Sequence, residues 1–163
     1  MKTDFNQLVK QKIVTPEQLR GCFAPGSKVV FTNGCFDIVH QGHIDYLSKA
    51  RNLGDVLVVG LNTDASVRRL KGPRRPINDQ QSRALLLASM VFVDYVVFFD
   101  QDTPYELIKA VQPDILVKGS DYRPEDIVGY DIVMAKGGRV ETLDYLPGFS
   151  TTAIERKILE NSK

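Results

Sequence analysis

The stretch Phe31-Thr32-Asn33-Gly34-Cys35-Phe36-Asp37-Ile38-Val39-His40-Gln41-Gly42-His43 decides the reading of this chain. An apolar run, Val29-Val30-Phe31, leads into it, and a helical pattern with Ile44, Leu47 and Ala50/Arg51 on successive turns leads out of it. The segment is therefore read as the turn between a buried strand and a helix. Its two histidines are the only two in the chain, and a glycine stands just before the second. A helix start presents unpaired backbone N–H groups and the positive end of the dipole, so it seats anions. Two imidazoles there add hydrogen bonds for phosphate. Zinc is the weaker reading, because no third histidine or metal-spaced cysteine accompanies the pair. Gly34 is expected to let backbone approach a ligand closely. Asp37 either orients a ligand group or caps the turn.

Outward from this segment, strands and helices alternate. Lys28–Thr32 reads as the first strand and Gly42–Asn52 as a helix. Asp55–Leu61 reads as a strand covered on both faces and Asp64–Leu70 as a short helix. Asp79 is expected to cap a helix reaching about Phe92. Tyr95–Phe99 is a buried strand, Thr103-Pro104 opens a helix to Val111, and Ile115–Lys118 is a short strand. A loop spans Ser120–Ile127 and a helix runs to about Lys136. Arg139–Leu143 is the last strand, and Ser150-Thr151-Thr152 caps a final helix to about Glu160. Such alternation predicts an α/β fold: a single Rossmann-like, doubly wound domain with a parallel sheet of about five strands flanked by helices. Its ligand crevice lies beyond the carboxyl ends of the strands, where the strand order reverses. Residues 28–163 are assigned to this domain. Residues 1–27 are read as a helical extension, with Thr15, Pro16 and Gln18 forming a capped helix start and Pro25-Gly26 breaking the chain.

Three further segments are candidates for the predicted site. Lys71 lies in Leu70-Lys71-Gly72-Pro73-Arg74-Arg75-Pro76, read as a loop. It either swings over a polyphosphate or belongs to a solvated basic loop, and Arg83 either assists or sits on the surface. Lys118-Gly119-Ser120-Asp121-Tyr122 ends a buried strand, either at the crevice or as a turn with a charged rim. Ser150, Thr151 and Thr152 make a second helix-start anion site or a plain cap.

Composition narrows the classes. The 163 residues suffice for one domain with a proper core, and 43% hydrophobic with 25% charged residues is ordinary for a globular protein. A formal net charge of +1, with the basic residues gathered in one loop, argues against nucleic acid as a partner. The N-terminus has no signal-peptide core, and no apolar run is long enough to span a bilayer, so no membrane partner is expected. Cys22 and Cys35 lack zinc spacing, and two reduced thiols suit a cytoplasmic protein.

With these residues assembled, Asn33-Gly34-Cys35-Phe36-Asp37 through His43 resembles the signature of the HxGH nucleotidyltransferase superfamily, which includes the cytidylyltransferases. Within it the chain most resembles the adenylyltransferase domain of bacterial heptose 1-phosphate enzymes. Arg69-Leu70-Lys71-Gly72, Arg75-Pro76-Ile77-Asn78, Leu116-Val117-Lys118-Gly119-Ser120-Asp121-Tyr122 and Phe149-Ser150-Thr151-Thr152 carry that likeness. The family usually has Gly where this chain has Ser120, a change expected to alter the pocket backbone. That domain is often fused behind a sugar kinase; here it is expected to stand alone.

The resemblance implies adenylyl transfer from ATP to D-glycero-D-manno-heptose 1-phosphate, releasing pyrophosphate, with Mg²⁺ held mostly by ATP and water and no metal site on the protein. It implies catalytic roles for His40, His43 and Lys71. Nucleotide contacts are expected from Thr32, Asn33, Gly34, Cys35, Phe36 and Asp37, and from Ser150, Thr151 and Thr152. Lys118 and Asp121 are expected to meet the sugar phosphate or the base. A homodimer is compatible with the superfamily. The rival readings are a glycerol-3-phosphate cytidylyltransferase and a non-catalytic nucleotide-binding module.

Overall fold

A computed structural model describes residues 2–162. Two short helices, α1 (Phe5–Gln11) and α2 (Pro16–Leu19), precede the strand β1 (Val29–Gly34). Then come α3 (Gln41–Arg51), β2 (Val56–Asn62), α4 (Asp64–Lys71), α5 (Gln80–Ser89) and β3 (Tyr95–Phe99). The chain continues through α6 (Tyr105–Val111), β4 (Ile115–Gly119), a 3₁₀ turn at Pro124–Asp126, α7 (Tyr130–Ala135), β5 (Arg139–Leu143) and α8 (Thr151–Asn161).

All five strands pair in parallel in the order β3-β2-β1-β4-β5. The chain winds outward from β1 to β3, then crosses back to lay β4 against the other side of β1. The order therefore reverses between β1 and β4, and a crevice opens at their carboxyl ends. Strand alternation splits the core in two. Val30, Leu57, Val59, Leu61 and Val96 pack on one face with Leu47 and Ala50 of α3 and Ala84 and Leu87 of α5. Phe31, Val58, Val97 and Leu116 pack on the other with Leu107 and Ile108 of α6, Val133 of α7 and Leu19 of α2. Both faces are covered, as near-continuous apolar strands require.

The N-terminal helices belong to this packing. The Thr15–Gln18 capping box forms as expected, and it delivers Leu19 fully into the core. Ile13 makes a parallel bridge to Val96 at the β3 edge, and Lys12 Nζ donates to the carbonyls of Met90 and Val93 at 3.2 and 2.8 Å. This segment covers an edge strand whose ladder groups are otherwise open.

Several boundaries differ from expectation. β1 runs two residues further, to Gly34, because Asn33 and Gly34 continue the ladder with Gly60 and Leu61. α4 keeps its hydrogen-bonded turn through Lys71 and closes on Gly72 at φ +95°, so Lys71 ends a helix and does not lie in a loop. α5 stops at Ser89, because Met90 is extended (ψ 133°) and feeds the turn into β3. No helix among the described residues is long and apolar enough to cross a membrane.

Candidate active site

A cavity of about 750 Å³ opens over the carboxyl end of β1. Asn33 and Gly34 end the strand beneath it, and His40 and His43 enter from the start of α3. His40 is the N-cap of α3, and its Nδ1 accepts the Gly42 N–H at 3.1 Å. The His43 Nδ1 accepts the His40 N–H at 3.3 Å, closing a capping box made of two imidazoles. A neutral ring whose Nδ1 accepts carries its proton on Nε2. The hydrogen-bond network thus assigns both rings as Nε2–H donors.

The rings stack with centroids 3.9 Å apart and planes at 26°. The Phe36 ring meets His43 edge-on at 5.3 Å. Burial pulls the His43 pKa down to about 4, with the charges of His40 and Lys71 adding to the effect. Burial lowers His40 as well. At neutral pH the pair is uncharged and offers two N–H donors at the helix start, where the Gly42 and His43 amides are already taken by His40. That is an anion seat built for hydrogen bonding.

Two glycines shape the pair. A Cβ on Gly34 would stand 2.9 Å from the Phe36 ring, so this glycine makes room for Phe36 (φ +45°) at the cavity floor. A Cβ on Gly42 would stand 3.0 Å from Cε1 and Nδ1 of His40 and 3.2 Å from Phe149 Cβ. The small residue between the histidines thus lets the first ring fold over the helix start.

The remaining predicted residues divide. Lys71 reaches the cavity from the end of α4, and Ser150 and Thr151 reach it from the start of α8, where Ser150 Oγ accepts the Ala153 N–H. Lys118 lines the β4 side. Its ammonium lies 3.4 Å from the Asn33 carbonyl and 5.9 Å from the Tyr122 ring centre, and burial lowers its pKa to about 8. Cys35 lines the cavity too, and burial pushes its thiol up, so it stays protonated.

Thr32 does not line the cavity. It is fully buried with Oγ1 2.8 Å from the Tyr46 hydroxyl, because its place in the strand alternation turns it toward α3. Asp121 is exposed beyond the cavity wall beside Tyr145, and Thr152 points away, one step past the helix start. Ser120 is exposed and outside the lining, its N–H on the Leu143 carbonyl, so the pocket backbone keeps its β4–β5 pairing.

Asp37 lies in the cavity wall, yet its carboxylate is spent on protein groups. It accepts from Arg75 Nη1 at 2.8 Å and from the amides of Ile77 and Asn78 at 2.8 Å. Burial alone would raise its pKa; those amides and the guanidinium outweigh it and hold the carboxyl below its usual value. Asp37 therefore pins the basic loop. Arg83 is neither at the site nor on the surface. It is fully buried and donates to the carbonyls of Cys35, Asn62 and Asn78 and to Asp64 Oδ1. It ties the ends of β1 and β2 behind the cavity.

Sequence reasoning missed Tyr145, which with Tyr122 and Phe149 of the quoted segments forms an aromatic wall. Tyr145 follows β5, and its ring lies along Tyr46 at 6.1 Å. Its position just past a strand's carboxyl end was the available signal. Among the described residues, no group of three or more His, Cys, Asp or Glu comes together as metal ligands.

Known proteins resemble this chain in sequence and in fold. The chain is 61% identical to the bifunctional protein HldE of Syntrophotalea carbinolica over 135 residues, covering 83% of this chain and 28% of that one. It is 53% identical to HldE of Trichlorobacter lovleyi, covering 96% and 32%. The chain therefore spans about a third or less of these relatives' length. The crystal structure of the lipopolysaccharide core biosynthesis protein from Thermoplasma volcanium superposes with a TM-score of 0.59 at 31% identity, covering 74% of this chain and 98% of that one. The family described as cytidylyltransferase-like matches residues 31–157. Because that span encloses every residue lining the cavity, the chain belongs to the cytidylyltransferase-like family.

Proposed function

We propose that this protein transfers the adenylyl group of ATP to D-glycero-D-manno-heptose 1-phosphate, giving ADP-heptose and pyrophosphate. The observation that carries the reading is the stacked pair of Nε2–H donors at the start of α3, facing a cavity roomy enough for a nucleotide and a sugar phosphate. The Leu116–Tyr122 and Arg69–Gly72 segments favour the heptose branch, and so does the likeness to the lipopolysaccharide core biosynthesis protein from Thermoplasma volcanium.

Transfer proceeds by in-line displacement. A phosphate oxygen of the sugar attacks the α-phosphorus, and the bond to pyrophosphate breaks on the opposite side. The protein positions groups and stabilises charge. His40 and His43 donate to the phosphoryl oxygens where negative charge grows. Lys71 covers the β- and γ-phosphates, while Ser150 and Thr151 with the α8 amides hold the chain of phosphates from the other side. Asn33, Gly34 and Phe36 form the floor. Cys35, a protonated thiol, takes no covalent part. A Mg²⁺ ion carried in with ATP would offset phosphate charge, leaving the side chains named above to position the phosphates.

A pyrophosphate-release assay crossing ATP and CTP with heptose 1-phosphate and glycerol 3-phosphate tests the reading. ATP with heptose 1-phosphate is expected to be the productive pair. Turnover with CTP and glycerol 3-phosphate alone overturns the heptose assignment, and binding of ATP with no release under any pairing overturns catalysis.

A further inference from the structure

Arg75 lies between two carboxylates from distant parts of the chain. Its Nη1 is 2.8 Å from Asp37 Oδ2, and its Nη2 is 3.0 Å from Glu155 Oε2. Asp37 stands three residues before His40, the N-cap of α3, and Glu155 lies in the second turn of α8, just past Ser150 and Thr151. One guanidinium therefore links the two helix starts that face the cavity across the phosphate path. The side chain is 15% exposed and Asp37 only 4%, so the Asp37 arm is shielded from solvent and weakly screened.

The Asp37 end is anchored independently by the Ile77 and Asn78 amides, and Asn78 Nδ2 returns a bond to the Asp37 carbonyl at 2.8 Å. By contrast, α8 buries no residue completely. Its Glu155–Arg75 pair is its one inter-element salt bridge among the described residues. A planar fork with two separate donor edges can serve two carboxylates at once, which a lysine ammonium does with far less directional control.

We propose that Arg75 is a positioning residue: held by Asp37, it draws α8 in through Glu155 and sets the distance between the α3 and α8 anion seats. The inference rests on reading the cavity as an ATP site. Arg75 touches no phosphate; it acts through Thr151 and the α8 amides.

The test is a double-mutant cycle on ATP binding, read by calorimetry with full-length protein and a thermal melt of each variant. Arg75→Ala is expected to weaken ATP by about tenfold, and kcat/KM to fall by up to about a hundredfold, as misplacement remote from the chemistry does. Thr151→Ala also weakens ATP, but the double variant is expected to be no worse than the poorer single one, because both remove the same seat. Glu155→Ala cuts only the α8 arm at a half-exposed site and is expected to reproduce Arg75→Ala even if the latter folds poorly. Glu155→Gln, which keeps an oxygen acceptor, is expected to recover most of the loss. Wild-type ATP affinity in folded Glu155→Ala, or losses that simply multiply in the double variant, overturns the proposal while leaving the ATP site standing. Failure of the wild-type protein to bind ATP removes the site reading itself, and the positioning role with it.

Discussion

Replacing Gly42 by alanine separates stability from activity in one step. Gly42 lies in the first turn of α3, where alanine is the better helix former by about 0.8–1.0 kcal/mol. The new Cβ, however, would press to 3.0 Å on the His40 ring and 3.2 Å on Phe149 Cβ. These contacts are tighter than ordinary packing, so the ring must tilt, and overpacking of this kind costs about 1–3 kcal/mol. A tilted ring also weakens the cap bond from the Gly42 N–H to His40 Nδ1, a feature worth about 1 kcal/mol. The net loss is about 1–3 kcal/mol, and for a chain of this size each kcal/mol lowers Tm by about 2–4 °C. Catalysis suffers more. Displacing one preorganised donor costs about 2.7–4 kcal/mol, or two to three orders of magnitude in kcat. Gly42→Ala is therefore expected to be a folded protein, melting a few degrees lower, with kcat about a hundredfold down. Pyrophosphate release measured beside a melt reads both. A folded variant with kcat near wild type refutes the argument that the ring pair is placed by the absence of this Cβ.

Removing the His43 imidazole with alanine is expected to lower kcat by about two to three orders of magnitude while the protein stays folded, and near-normal turnover contradicts its donor role. The same ring has a pH signature. Its pKa of about 4 lies below the free value of 6.5, so the unfolded chain takes up a proton that the native state refuses as pH falls from 6.5 to 4. Above pH 6.5 no penalty exists. Across that window stability drops by at most about 3 kcal/mol, and by about 1–2 kcal/mol once screening of a partly exposed ring is counted. Melts of the wild type and His43→Gln between pH 7.5 and 4 should converge at the acid end; parallel curves exclude a neutral, buried His43. Lys118, with a pKa of about 8, is expected to give kcat/KM an alkaline limb near that pH as the ammonium loses its proton. Lys118→Met should abolish the limb, and its persistence in that variant assigns it elsewhere.

The parts of the fold that were legible in the sequence are those written locally. The Thr15–Gln18 capping box, the apolar run Tyr95–Phe99 and the last strand Arg139–Leu143 each depend on residues a few places apart. The histidine pair was legible for the same reason, since strand, turn and helix start are consecutive. Helix α4 was cut short because Lys71-Gly72-Pro73 looks like punctuation, although the last turn survives to Lys71. Thr32 was expected at the ligand because it adjoins Asn33, yet strand alternation sends neighbours to opposite faces. Asp37 and Arg83 were misjudged for a deeper reason. All but one of their partners lie 19 to 48 residues away, and nothing in local pattern reveals that an aspartate meets the Ile77 amide or that an arginine points into the core. The Asp37–Arg75–Glu155 link, which spans 80 residues on one arm, was invisible until the fold brought its members together.

The most direct test of the whole account is a crystal structure with a non-hydrolysable ATP analogue. The account predicts phosphoryl oxygens about 2.7–3.2 Å from Nε2 of both His40 and His43, with the remaining phosphates between Lys71 and the start of α8. A triphosphate seated away from the two rings, or rings whose Nε2 atoms face the apolar core, contradicts it.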